Sequence, residues 1–118
     1  MTKILICDDD EGILDSISLV LELSGYQVFT LKDSTNILAF VRLNQPDLIL
    51  IDLWMPGLSG QQATRLLKKN PTLGHIPIII VSANRETERV AVKCGANDFL
   101  CKPFEIQELK NKISQHLT

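Results

Sequence analysis

The sequence predicts a doubly wound α/β domain built on a parallel five-stranded sheet. Five short stretches rich in Ile, Leu and Val alternate with five stretches of helical periodicity, which gives the order βαβαβαβαβα. Two of the apolar stretches, LILI at 48–51 and IIIV at 78–81, are continuous, as in central parallel strands covered on both faces. Strict alternation with short connections requires right-handed crossovers. The predicted fold therefore has helices on both faces of the sheet.

The individual elements follow from these stretches in chain order. Strands are predicted at residues 3–7, 26–30, 48–51, 78–81 and 98–101. The second strand alternates apolar and polar side chains, which favours an edge position. Helices are predicted at residues 11–24, 34–43, 59–69, 85–94 and 105–117. Their ends carry typical signals: Ser59 and Gln62 form an S-x-x-Q capping box, and there are N-caps at Asp33 and Asn84 and terminating glycines at Gly25 and Gly95.

The composition indicates one globular domain of 118 residues, of which 45% are hydrophobic and 22% charged. The net charge is −2, whereas nucleic-acid-binding domains usually carry an excess of basic residues. No apolar run reaches the ~18 residues of a membrane span, and the N-terminus has no signal-peptide pattern. We therefore expect a cytoplasmic protein without direct contacts to nucleic acid or membrane. Its three cysteines, Cys7, Cys94 and Cys101, are predicted to be buried, reduced thiols.

Polar side chains follow four of the five predicted strands, at the edge of the sheet where α/β proteins bind ligands. They are Asp8, Asp9 and Asp10 after the first strand, Asp52 after the third, Ser82 after the fourth and Lys102 after the fifth. Three converging carboxylates, from Asp8, Asp9 and Asp52, repel one another unless they bind a proton or a cation. Mg²⁺ prefers such oxygen ligands and keeps room for a phosphoryl oxygen. The sequence therefore predicts a magnesium site beside a pocket for a tetrahedral oxyanion.

Each of these side chains also has a plainer interpretation. Asp9 or Asp10 alone is often a helix N-cap. Ser82 suits a turn at the strand end, and Lys102 could be solvated. The functional interpretation is favoured because four junctions place reactive polar groups on one edge.

Four segments, ILICDDDEGI, LILIDLWMPGLSG, IPIIIVSA and DFLCKPF, resemble the motif blocks of response-regulator receiver domains, the phospho-accepting domains of two-component signalling. The resemblance covers nearly the whole chain. Residues 1–118 are therefore expected to form one receiver domain, either a single-domain regulator or part of a longer protein. The resemblance implies a flavodoxin-like receiver fold with strand order 2-1-3-4-5.

The resemblance assigns the metal site to the ends of the first and third strands. Asp52 resembles the phosphorylated aspartate. Asp9 resembles the acidic residue that binds Mg²⁺ directly, and Asp8 its neighbour that acts through water. The backbone carbonyl of Trp54 matches the third protein ligand. Mn²⁺ can substitute for Mg²⁺ among such ligands.

The phosphoryl-binding and switch residues implied by the resemblance follow the fourth strand or belong to the fifth. Ser82 matches the hydroxyl residue that binds a phosphoryl oxygen, and small Ala83 leaves its N–H free to approach the phosphate. Lys102 matches the lysine that pairs with the phosphoryl group, and its bond to Pro103 is usually cis in the family. Phe99 matches the switch aromatic that moves with Ser82. Its plainer interpretation is a half-buried strand residue.

The implied function is that of a signalling switch rather than an ordinary enzyme. Asp52 receives a phosphoryl group from a phosphohistidine on a sensor histidine kinase or a histidine phosphotransfer protein, and the domain assists its own phosphorylation and dephosphorylation. The domain is expected to be a monomer or a weak homodimer. An effector or a second copy would bind the face formed by the fourth helix, the fifth strand and the fifth helix. The alternative is a receiver-like interaction module that works without phosphorylation.

Two positions are hypothesised to tune the lifetime of the phosphorylated state. Trp54 is a large apolar residue two positions past Asp52, where it would shield the acyl phosphate from water. Asn84 lacks the acid that could orient an attacking water.

The first helix is predicted to dock the kinase. Its core face consists of Ile13, Ile17, Val20 and Leu21. Its other face, the docking stripe, consists of Gly12, Ser16, Leu19 and Leu23.

Overall fold

A computed structural model describes residues 1–117 as a five-stranded parallel sheet with five helices. The elements are β1 (Lys3–Cys7), α1 (Glu11–Leu23), β2 (Gln27–Leu31), α2 (Ile37–Asn44), β3 (Leu48–Ile51), α3 (Gly60–Lys69), β4 (Ile78–Ser82), α4 (Thr87–Cys94), β5 (Asp98–Cys101) and α5 (Ile106–His116). The strand order is β2-β1-β3-β4-β5, and every pairing is parallel. The predicted fold class is confirmed. None of the helices in residues 1–117 combines the length and the apolar character that a membrane crossing needs.

The core forms two layers, one on each face of the sheet. Side chains of α2, α3 and α4 pack on one face, and those of α1 and α5 pack on the other. In β3, Ile49 and Ile51 belong to the first layer, whereas Leu48 and Leu50 belong to the second, because successive side chains of a strand alternate between faces. The continuous run LILI is therefore buried on both faces, as predicted. The edge strand β2 is only partly buried.

Two predicted N-caps are wrong, because their side chains form turns before the helix begins. The carboxylate of Asp33 accepts the backbone N–H of Thr35 at 2.7 Å. The amide oxygen of Asn84 accepts the backbone N–H of Glu86 at 2.7 Å. Such turns compete with the first turn of a helix. Consequently α2 and α4 begin later than predicted, at Ile37 and Thr87.

The other helix ends follow the predicted chemistry. Ser59 and Gln62 form both hydrogen bonds of a capping box at the start of α3. Gly25 and Gly95 follow α1 and α4 with φ of +97° and +84°, the left-handed conformation that glycine adopts readily. The plainer interpretation of Asp10 is also correct, since its side chain caps α1.

One of the three predictions for the cysteines is wrong. Cys7 and Cys94 are buried free thiols, and burial raises the pKa of Cys7 so that it stays neutral. Cys101 is exposed. It is the last residue of β5, an edge strand, on the opposite face from the buried Leu100. An apolar neighbourhood in sequence therefore did not suffice to bury it.

Candidate functional site

Three carboxylates meet where β1 and β3 end. Asp8 and Asp9 follow β1 and Asp52 follows β3. The two strands are hydrogen-bonded neighbours, and the N–H of Asp52 continues the ladder to the carbonyl of Cys7 at 2.9 Å. One carboxylate oxygen from each of the three residues lies within 4.8 Å of the others. The structure thus brings together the predicted acidic residues.

Asp8 is the buried member of the cluster, with 4% of its surface exposed. One carboxylate oxygen accepts the backbone N–H of Asp10 at 3.0 Å, and the other accepts a hydrogen bond from the ammonium of Lys102 at 2.8 Å. A buried carboxylate is tolerated only when such partners compensate its charge. Asp8 is therefore fixed from two sides.

Lys102 links the far side of the sheet to the carboxylates. It follows β5, and its backbone N–H donates to the carbonyl of Ser82 at 2.9 Å. Its ammonium lies 3.4 Å from a carboxylate oxygen of Asp52 as well as 2.8 Å from Asp8. Burial alone would lower the pKa of Lys102, but the hydrogen bonds and charges of Asp8 and Asp52 together outweigh it and raise that pKa. Lys102 therefore stays cationic at neutral pH.

The environment of Asp52 disfavours the charged form of its carboxyl group. Burial raises its pKa and the charge of Asp8 adds to this, while the ammonium of Lys102 and the backbone N–H of Trp54 act in the opposite direction without cancelling it. One ammonium, that of Lys102, is thus shared by the carboxylates of Asp8 and Asp52. The donor set fits Mg²⁺, because it consists of hard carboxylate oxygens that lie within 4.8 Å of one another.

The raised pKa of Asp52 predicts that Asp52→Asn is more stable than the wild type at pH 7 in EDTA. A carboxyl with a raised pKa contributes its stability fully below its unfolded value of about 3.9, and that contribution is lost as the pH rises through the folded pKa. The stability gap should therefore close in acid, and it should shrink in Mg²⁺. Urea denaturation at several pH values measures the gap. A wild type more stable than Asp52→Asn in EDTA at pH 7 would contradict this assignment.

The predicted phosphoryl-binding residues lie beside Lys102. Ser82 is buried, and its hydroxyl oxygen accepts the backbone N–H of Asn84 at 3.2 Å, so it is held by the β4–α4 connection. Ala83 is exposed and lines the same cavity as Lys102. The Lys102–Pro103 peptide bond is cis, as the resemblance implied.

Trp54 and Asn84 lie close together at the rim of the site. Both line a cavity of about 220 Å³ together with Val90 of α4. Trp54 is 67% exposed, so its indole is a large apolar surface open to solvent. The position suits the predicted shielding role, which stays a prediction.

Phe99 is half-buried in β5 and packs on the core layer beneath α4. The ammonium of Lys112 lies 5.3 Å from the centre of its ring. The same ammonium pairs with the carboxylate of Asp98 at 2.9 Å, and His116 contacts the other oxygen of Asp98 at 2.9 Å. The side of Phe99 towards α5 is therefore occupied by a polar network.

The stripe on α1 is exposed as predicted, with Leu19 and Leu23 at 60% and 79%. Gly12 and Ser16 line a mostly apolar groove of about 720 Å³ between α1 and the connection from β5 to α5. This groove, the α1 groove, reaches Lys102.

The predicted core face of α1 needs correction. Ile17 and Leu21 are buried as predicted, and so is Leu14, which the prediction omitted, whereas Ile13 and Val20 are half-buried. Ile13 still packs against the core layer of α1 and α5, as predicted, and it also lines the α1 groove.

Sequence reasoning missed the residues that place the connection after Asp52. A Cβ at Gly60 would lie 2.2 Å from the backbone oxygen of Asp52, and the Gly60 N–H donates to the carbonyl of Leu53 at 2.9 Å. The glycines of GLSG were a usable signal for this close approach. Ser34, which contacts the same connection, had no recognisable signal.

Comparison with known proteins agrees with this geometry. The family model described as "Response regulator receiver domain" matches residues 4–114. Protein PilH of Pseudomonas aeruginosa is 38% identical over 116 residues, which cover 97% of this chain and 96% of PilH. The DNA-binding response regulator MtrA of Mycobacterium tuberculosis is 32% identical over 117 residues, which cover 98% of this chain but 50% of MtrA.

Solved structures agree as well. A response regulator receiver domain protein from Clostridium thermocellum is 33% identical, with a TM-score of 0.89 over 99% of this chain and 94% of the other. Chemotaxis protein CheY4 of Vibrio cholerae is 27% identical, with a TM-score of 0.90 over 99% of each chain. The fold is therefore the flavodoxin-like receiver fold, and the chain belongs to the response-regulator receiver domain family of two-component systems.

Proposed function

We propose that residues 1–118 act as one phospho-accepting switch in the cytoplasm, in which Asp52 receives a phosphoryl group from a phosphohistidine on a sensor histidine kinase or a histidine phosphotransfer protein. The observation that carries the proposal is the placement of the Lys102 ammonium between Asp8 and Asp52, at the edge where three carboxylates meet. Asp8, Asp9, Asp52 and the Trp54 carbonyl would hold Mg²⁺. When bound, Mg²⁺ would neutralise charge on the phosphoryl oxygens.

The transfer step uses a carboxylate oxygen of Asp52 as the nucleophile. The new P–O bond forms as the P–N bond to the donor imidazole breaks, and the bonding electron pair leaves with the imidazole nitrogen. Lys102 is already within hydrogen-bond reach of Asp52 and can turn towards an equatorial phosphoryl oxygen. Ala83 N–H and the Ser82 hydroxyl would bind the remaining oxygens. Water attack on the phosphorus later breaks the P–O bond to Asp52, releases inorganic phosphate and regenerates the carboxylate. The same charged groups line the site in both steps, so the domain assists both reactions.

The switch follows from the contacts of Ser82. Its hydroxyl now accepts the N–H of Asn84, and a phosphoryl oxygen nearby would draw it towards Asp52. Movement of the β4–α4 connection would open space for the Phe99 ring to rotate inward, which shifts an existing equilibrium between two states. The altered face of α4, β5 and α5 would then bind an effector or a second copy.

The proposal is tested by incubating the protein with acetyl phosphate and Mg²⁺ and measuring its intact mass. We expect one phosphate adduct, dependent on the metal and absent from Asp52→Asn. Failure to form the adduct, in a protein shown to be folded, would favour the phosphorylation-independent interaction module.

Substitution of Trp54 by Asn is expected to shorten the half-life of the phosphorylated state severalfold, because water reaches the acyl phosphate more easily. The decay of the phosphate adduct, followed by intact mass after removal of the donor, measures the half-life. Leu66→Asn is the control, since Leu66 is an exposed apolar residue on α3. Equal half-lives for Trp54→Asn and the wild type would refute the shielding role.

Exchange of Leu19 and Leu23 for Glu is expected to slow transfer from a phosphohistidine donor by about tenfold, because docking would bury two unpaired charges where apolar side chains stood. Labelling by acetyl phosphate should be unchanged. Leu43→Glu is the matched control, because Leu43 is 82% exposed on α2. If the double variant accepts phosphate from the protein donor at the wild-type rate, the donor does not dock on this stripe.

A further inference from the structure

The buried Ser34, in the connection between β2 and α2, hydrogen-bonds to the connection between Asp52 and α3, which is distant in sequence. Ser34 has no exposed surface. Its backbone N–H donates to the carbonyl of Pro56 at 3.0 Å. Its hydroxyl donates to the carbonyl of Leu58 and lies 3.2 Å from that of Pro56. Ser34 therefore supplies two donors, its backbone N–H and its hydroxyl, to the carbonyls of Pro56 and Leu58. Without Ser34 these carbonyls of the connection would lack these hydrogen bonds.

The two connections are in close contact around this serine. Gly57 has φ of +89°, and a Cβ there would lie 2.6 Å from the Thr35 hydroxyl oxygen and 2.7 Å from the Thr35 backbone nitrogen. Ser34 is itself fixed, because its carbonyl accepts the N–H of Ile37 at 3.1 Å, and Ile37 is fully buried in α2. The serine therefore joins the Asp52 connection to a helix that is packed into the core.

Trp54 lies between the two fixed points of its connection. On one side, the carbonyl of Leu53 accepts the N–H of Gly60 at 2.9 Å. On the other side, Pro56 is bonded to Ser34. The backbone path through Trp54 is thereby restrained from both sides, and its carbonyl belongs to the restrained segment.

We infer that Ser34 is a positioning residue for the metal site: it holds the 53–58 connection, and with it the Trp54 carbonyl, which would bind Mg²⁺ together with Asp8, Asp9 and Asp52. This inference rests on the proposed function. Residues that orient metal ligands typically change metal affinity by about 10- to 100-fold when they are replaced. A serine that served only to fill the core would change stability and leave affinity alone.

The experiment compares Mg²⁺ binding, measured by calorimetric titration and by Trp54 fluorescence, in the wild type, Ser34→Ala and Ser34→Cys. The cysteine keeps the volume but is a weak hydrogen-bond donor, so it serves if the alanine variant does not fold. Thr87→Ala is the matched control, since the Thr87 hydroxyl is also fully buried and donates to a connection carbonyl, that of Asn84. Urea denaturation gives the stability of each variant.

We expect Mg²⁺ affinity to fall about tenfold in the Ser34 variants, with a changed Trp54 emission, and to stay within about twofold of the wild type in Thr87→Ala. Wild-type affinity in a folded Ser34 variant, or an equal loss in Thr87→Ala, overturns the inference. In that case the wild type still binds Mg²⁺ and is phosphorylated, so the proposed function survives. A wild type that binds no Mg²⁺ overturns both.

Discussion

Replacement of Lys102 by Met is expected to slow phosphorylation of Asp52 by acetyl phosphate by about 10²- to 10³-fold, because it removes a fixed positive charge from the transferring group. Met keeps most of the length and the apolar packing of the side chain, so the loss is mainly electrostatic. Mg²⁺ affinity should not fall, since the lysine competes with the metal for Asp8 and Asp52. The rate is measured as the time course of the phosphate adduct by intact mass.

The same substitution leaves a buried charge without its partner. Asp8 is held by the Lys102 ammonium and one backbone N–H. Removing one member of a buried ion pair costs about 3–5 kcal/mol. We therefore expect Lys102→Met to lose stability of that order in EDTA and to recover part of it in Mg²⁺, as measured by urea denaturation.

Lys68→Met is the control for this experiment. The Lys68 ammonium is also partly buried, but it donates to the carbonyls of Gly74 and Ile76 at the opposite end of the sheet. The Lys68→Met variant should be less stable than the wild type but should be phosphorylated at the wild-type rate. A Lys102→Met rate within about threefold of the wild type would mean that Lys102 does not act in transfer.

Gly60→Ala is expected to destabilise the protein by about 3 kcal/mol or more, because the new Cβ meets backbone atoms rather than a flexible side chain. It would lie 2.2 Å from the oxygen and 2.8 Å from the carbonyl carbon of Asp52. Relief of this clash must shift Asp52 or the start of α3. A misplacement of about 1 Å costs about 10²-fold in rate, so phosphorylation should fall as well.

Gly12→Ala is the matched control. The nearest atom to its Cβ is the Asp10 carboxylate oxygen that caps α1, at 3.3 Å, and a shift of a few tenths of an ångström would relieve the contact while keeping the cap. Alanine in a helix gains about 0.5–1 kcal/mol over glycine, so this variant should be at least as stable as the wild type. Urea denaturation compares the two, and equal stabilities would show that Gly60 is not required by close approach.

The position and burial of each strand could be predicted because each strand is encoded locally, whereas the strand order was implied by the family resemblance. Runs such as LILI and IIIV have one favourable environment, between two helical layers. The starts of α2 and α4 could not be predicted, since Asp33 and Asn84 can cap a helix or form a turn, and the choice depends on the neighbouring connections.

The candidate site also has features that could be predicted from the sequence and features that could not. Asp8, Asp9 and Asp52 follow directly after strands, so their meeting at one edge follows from a parallel sheet. Lys102 could be predicted to lie on that edge, but its sharing between Asp8 and Asp52 depends on side-chain reach. Ser34 escaped prediction because it contacts backbone carbonyls 22 and 24 positions away, which a residue pattern does not record.

The most direct test of the central claim is chemical identification of the phosphorylated residue. After reaction with acetyl phosphate and Mg²⁺, borohydride reduces an acyl phosphate to the alcohol, so an aspartyl phosphate becomes homoserine, which peptide mass spectrometry locates. We predict homoserine at position 52 and at no other carboxylate, with Asp8 and Asp9 unchanged. Homoserine at another position, or none in a folded protein that binds Mg²⁺, would contradict the assignment of Asp52 as the phosphoacceptor.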